Sequence, residues 1–134
     1  MISVLVEVVH FGHPSVDTVK NFLLELRMAL ARESELVIVE RDKNNAFLAE
    51  RGWLNSDLRR LLRNLAAADY AEGPLLDDRG SDWEWWVFGP RYDGSTLYVK
   101  LAIRGLRVKC LSIHVAEYAM PRPFGPPQGG DNSE

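Results

Sequence analysis

The chain has 134 residues, one domain's worth, because single cores typically hold about 100 to 200 residues; a two-domain enzyme is excluded. A hydrophobic share of 46%, with four Trp, four Tyr and five Phe, supplies enough apolar surface for a core and excludes wholesale disorder. Sixteen Lys and Arg against nineteen Asp and Glu give a net charge of −3 and a pI near 5.6, so any nucleic-acid binding has to come from a local patch.

Ile2, Val4, Val6 and Val8 alternate and are β-branched, which predicts a strand ending near His10, broken by Gly12 and Pro14. This apolar start carries Glu7 and lacks a basic stretch or a small-residue cleavage site, so it is read as neither signal peptide nor membrane anchor. Ser15 then stands as an N-cap before Val16, Val19, Leu23, Leu26 and Leu30, whose spacing predicts an amphipathic helix over residues 16–32. Residues 36–39 read as a short strand. Asp42 is placed to cap a small helix from Lys43 to Gly52, and Asn55 to cap another over residues 56–66 with an apolar stripe at Leu58, Leu61, Leu62 and Leu65.

Between Ala68 and Asp82, Pro74, Asp77, Asp78 and Gly80 read as turn residues. Three strands are expected next, at 83–89, 96–104 and 106–114. The fold class that follows is α+β: helices packed on a small antiparallel sheet, a single domain over residues 1–120, and a flexible Pro/Gly-rich tail over 121–134.

Charge is divided along the chain. Residues 94–116 hold Lys100, Arg104, Arg107 and Lys109 and no acid, whereas residues 69–84 hold six acids and only Arg79. In strand 96–104, Leu97, Val99, Leu101 and Ile103 share one face, and Tyr98, Lys100 and Arg104 share the other. A turn at Arg104 and Gly105 would set Lys100 directly opposite Lys109, a repulsive pair that a polyanion would relieve. Solvated lysines splaying apart into water would be the plainer explanation. Simple alternation from Val108 and Cys110 sends His114 into the core unless a bulge re-aims it.

Cys110 is the only cysteine, expected to be buried on its strand and at home in a reducing compartment, so the cytoplasm is the expected location. No zinc spacing, calcium loop, phosphate loop or nucleophile elbow is found, and no metal or cofactor is expected. Trp83, Trp85 and Trp86 offer stacking surface for single-stranded RNA, although aromatic side chains on a strand are more often core, and at least two of the three are expected there.

Five strings, in order, resemble the MqsR-like family: Arg41, Lys43, Asn44, Phe47 and Leu48; Asp69, Tyr70, Gly73 and Pro74; Trp86, Val87, Phe88 and Gly89; Leu97, Tyr98, Val99, Lys100 and Leu101; and Ser112, Ile113, His114, Ala116 and Glu117. The resemblance spans about residues 15–118. It implies a RelE-like fold and a toxin of a type II toxin–antitoxin system, a metal-independent endoribonuclease that cleaves messenger RNA, on or off the ribosome, and is restrained by a cognate antitoxin protein. Tyr98 and Lys100 match the family's central-strand pair, and His114 stands at its terminal basic position. Glu72 stands where the family carries a lysine.

Metal-free RNA cleavage needs a base for the 2′-hydroxyl, cations for the phosphorane and an acid for the 5′-oxygen. His114 is the candidate acid, Lys100 with Arg104 or Arg107 the cations, and Tyr98 a phosphate ligand or a partner in proton transfer. Glu72 is the candidate base if residues 69–74 fold over the sheet, and a surface acid paired with a lysine if they do not. Arg41, Lys43, Arg104, Arg107 and Lys109 complete the RNA-binding set. The alternative is an RNA- or protein-binding regulatory module of the same fold without the chemistry.

Overall fold

The computed structural model describes residues 13–32, 35–77, 80 and 82–126. The strand expected before His10 lies outside them. Helix α1 (Val16–Ala31) starts at Ser15, whose Oγ accepts from Thr18 N–H at 3.2 Å. Then come β1 (Glu35–Ile38), α2 (Asp42–Arg51), α3 (Asn55–Arg63), β2 (Tyr70–Leu76), β3 (Glu84–Phe88), β4 (Arg91–Tyr92), β5 (Ser95–Arg104) and β6 (Arg107–Val115). The result is an α+β fold with helices packed on one sheet.

The sheet runs β1-β6-β5-β3-β2, with β4 paired to the start of β5. Its pairs are antiparallel except β1 with β6, which run parallel, so the sheet is mixed where an antiparallel one was expected. A long crossover through α2, α3 and four further strands separates β1 from β6 in sequence, as parallel pairing requires.

Leu97, Val99 and Leu101 are fully buried under Val19, Phe22, Leu23 and Leu26 of α1, and Ile103 packs at the margin of the same core. Trp86 joins this core by stacking on Phe22, with ring centroids 4.4 Å apart. Helices α1 and α3 also terminate one another. Arg27 of α1 donates to Arg63 O and Leu65 O at 3.3 and 2.8 Å, and Arg59 of α3 donates to Leu30 O at 3.2 Å. Each arginine satisfies carbonyls that a helix end leaves open.

Several expectations need correction. Neither Asp42 nor Asn55 is an N-cap: those positions fall to Arg41 and Leu54, and Asn55 donates instead to Leu36 O at 3.0 Å. Residues 70–76 are an edge strand, where a sheet tolerates proline. Gly73 is required there, because at φ 124° a Cβ would meet Trp85 O at 2.8 Å. The β5–β6 turn is Gly105 and Leu106, with Gly105 at φ 61° in the position where a two-residue hairpin turn takes glycine. Finally, residues 121–126, expected to begin a flexible tail, are docked. Arg122 donates to Gly89 O at 2.6 Å and lies 3.6 Å from the Asp69 carboxylate, and Phe124 meets the Tyr70 ring at 5.6 Å. Residues 127–134 lie outside the described residues.

Candidate nucleic-acid interface

The hairpin register decides which side chains share the open face. From Arg104↔Arg107 to Leu101↔Cys110 the pairing is regular; then Lys100 pairs with Ser112, leaving Leu111 as the extra residue of a β-bulge. The bulge resets alternation. Ile113 returns to the core, and His114 faces out opposite Tyr98, where their rings stack 5.2 Å apart at 18°. Lys109 pairs with Ala102 rather than with Lys100, so the expected lysine–lysine confrontation does not occur.

This face forms the floor of a groove of about 700 Å³. Tyr98, Lys100, Lys109, Ser112 and His114 line its floor, Arg41 and Lys43 come from the start of α2, and Glu117 and Tyr118 follow the end of β6. Leu76, Asp77, Trp85, Val39 and Leu111 complete the lining. Four cations thus meet two acids. Two of those cations, Arg41 and Lys43, flank Asp42 at the N-terminal end of α2, where the helix dipole is also positive.

Lys100 is half-buried and makes no ion pair among the described residues. Lys109 lies over the Trp83 ring at 4.6 Å. Arg41 donates to Leu111 O at 3.3 Å and lies 3.4 Å from Ser112 Oγ. Lys43 is held by Glu117 at 2.6 Å, and that bond keeps the Glu117 carboxyl below its usual range, helped by His114 nearby. Burial first, and then the Glu72 and Tyr118 charges, push the Tyr98 phenol up against a smaller opposing pull from Arg41. The phenol therefore stays neutral and can donate. His114 Nδ1 lies 3.0 Å from Val115 O; with the proton on Nδ1, Nε2 is left for proton transfer.

Of the residues singled out in the sequence, His114, Tyr98, Lys100, Arg41, Lys43 and Lys109 are brought together. Glu72 is not. The 69–74 segment joins the sheet edge instead of folding over it, and Glu72 sits opposite Val87, which in turn pairs with Lys100, so Glu72 lies two strands from Lys100. Arg104 and Arg107 also lie outside, at the hairpin tip, ion-paired with Asp82 at 3.6 Å and Glu35 at 3.0 Å. Trp83, Trp85 and Trp86 are all buried: Trp86 in the helix-side core, and the first two stacked together in a small cluster with Ala102 on the open face, where Trp85 lines the groove. Cys110 is fully buried, and burial pushes its thiol up to about 12.

Residues not named as site candidates from the sequence are Ser112, Tyr118 and Glu117 as groove lining and Asn44 beneath it. Asn44, Ser112 and Glu117 stood only in the strings that carry the family resemblance, and Tyr118 stood in none. Among the described residues no group of three or more His, Cys, Asp or Glu side chains is placed to hold a metal ion, and no helix is long and apolar enough to cross a membrane. Comparison with family models, with curated proteins and with solved structures found no match to this chain.

Proposed function

We propose that the groove binds single-stranded RNA and cleaves it without a metal, by attack of a 2′-hydroxyl on the adjacent phosphate, and that the chain is a cytoplasmic toxin of the MqsR-like kind restrained by an antitoxin protein. The observation that carries the reading is the row of Lys100 beside the stacked Tyr98 and His114. Lys100, half-buried and without an acid partner among the described residues, suits an anion, and it adjoins a neutral phenol donor and an imidazole.

In this reading the scissile phosphate rests on Lys100 and Arg41, and Tyr98 donates to a non-bridging oxygen. His114 acts as the imidazolium: Nδ1–H stays on Val115 O while Nε2–H gives its proton to the departing 5′-oxygen, leaving the neutral ring. The 2′-hydroxyl proton goes to Glu117, the groove carboxylate on the His114 side, once phosphate draws Lys43 away from it; Glu72 is left outside the chemistry. Tyr118, largely exposed at the rim, offers a face for an unstacked base.

The test is purified chain with labelled single-stranded RNA, with and without EDTA. Cleavage that survives the chelator and leaves 2′,3′-cyclic phosphate ends supports the reading. RNA that is bound but never cut supports the regulatory module instead.

A further inference from the structure

The bulge that re-aims His114 is completed by a side chain from another element. Cys110 O and Leu111 O, consecutive carbonyls of β6, are both taken from the β1 side: Val39 N–H donates to the first at 3.0 Å and Asn44 Nδ2 to the second at 3.0 Å. Carbonyls alternate sides along a regular strand, so this adjacency is the bulge seen from its outer edge. Asn44 Oδ1 then accepts from Ile113 N–H at 2.9 Å, while Nδ2 also donates to Val39 O at 2.9 Å.

A donor into Leu111 O and an acceptor for Ile113 N–H are what a parallel neighbouring strand would present across from Ser112. By then β1 has ended at Ile38 and the chain has turned into α2. The Asn44 amide, 1% exposed, stands in for the missing strand. Arg41 shares Leu111 O at 3.3 Å but has no acceptor to offer Ile113 N–H.

We propose that Asn44 is a positioning residue: its amide secures the β6 bulge and so holds His114 on the groove face against Tyr98. Without it, the buried Ile113 N–H is left unpaired and Leu111 O keeps only the longer Arg41 bond, and the end of β6 loses the geometry that fixes the imidazole. Only the consequence for cleavage rests on the ribonuclease reading; the placement of His114 does not.

Deletion of Leu111 separates this role from plain stability. It removes the extra residue, so regular alternation puts His114 opposite Tyr98 with no bulge to support. The measurement is the ring-to-ring nuclear Overhauser contact of Tyr98 and His114 in four proteins: wild type, Asn44→Ala, the Leu111 deletion and the two changes combined. Asn44→Ala should lose the contact while the Phe22 and Trp86 contacts of the helix-side core persist. The deletion should keep it, and the combined variant should regain it. RNA cleavage should follow, falling about 10²-fold or more in Asn44→Ala, as on loss of a general acid, and recovering in the combination. A folded Asn44→Ala protein that keeps the contact would contradict the proposal. So would a combined variant that fails to fold or to regain the contact, and this arm decides the matter if Asn44→Ala alone does not fold. Contacts that behave as expected in proteins that never cut RNA would leave Asn44 in its role and remove the ribonuclease reading.

Discussion

Tyr98 and His114 stack because they are direct cross-strand partners, and both depend on a local environment that the rest of the groove supplies. Tyr98→Phe keeps the ring and removes only the donated hydrogen bond, so it should slow cleavage without releasing His114, and less than His114→Ala does. The two carboxylates also separate. Glu72→Gln should change the cleavage rate little, because Glu72 lies on the sheet edge, whereas Glu117→Gln, inside the groove, should slow it at least tenfold; rates on one labelled RNA compare all four. A further residue with a pH signature is Tyr70, whose phenol burial, and then the Glu72 charge, push up to about 12, and which donates to Gly73 O at 2.6 Å. Its folded value lies above its unfolded one, so the stability it contributes is whole below the ordinary value of 10.0 and is lost as pH rises through about 12. Tyr70→Phe should cost about 1 kcal/mol near neutral pH, and its deficit relative to wild type should shrink above pH about 10, as read by urea unfolding at both pH values.

At the scale of elements, legibility in the sequence followed the range of the signal. Helix α1 was readable because Val19, Leu23, Leu26 and Leu30 repeat at helical spacing and Ser15 caps it locally. The β5 face was readable from alternation alone, which separated Tyr98 and Lys100 from Leu97, Val99 and Leu101. Strand β2 was not, since Gly73 and Pro74 have the composition of a turn and become a strand only against Trp85. The bulge in β6 was not legible either, because its supporting amide comes from Asn44, in a different element. The capping exchange between α1 and α3 is likewise long-range, and Arg27→Ala should therefore destabilise the fold by about 1 kcal/mol through orphaned carbonyls at the end of α3, in urea titration. Phe88→Ala, in the centre of the core, should cost about 3 to 5 kcal/mol by the same measurement.

The whole molecule is acidic, yet the groove collects Arg41, Lys43, Lys100 and Lys109 against Glu117 and Asp77. The segment counts of charge hinted at this but misjudged its extent, since Arg104 and Arg107 are spent on Asp82 and Glu35 at the hairpin tip. Binding to RNA should therefore weaken steeply with salt. Lys100→Ala with Lys109→Ala should flatten the logarithmic salt slope by about 1.4, and Arg104→Ala with Arg107→Ala should leave it nearly unchanged. Equal flattening by the two pairs would move the RNA surface toward the hairpin tip.

The central claim is that the His114 imidazole performs proton transfer in this groove. Its most direct measurement is single-turnover cleavage of a labelled single-stranded RNA by wild type and by His114→Ala, with the fold of each verified by circular dichroism and EDTA present throughout. A general acid contributes typically about 10² to 10⁴ in rate, and His114 at a strand end carries little of the core, so the variant should remain folded, bind RNA with the wild-type salt slope and cut it at least about 10²-fold more slowly. A folded His114→Ala protein that cuts as fast as wild type would contradict the account and make His114 a structural residue.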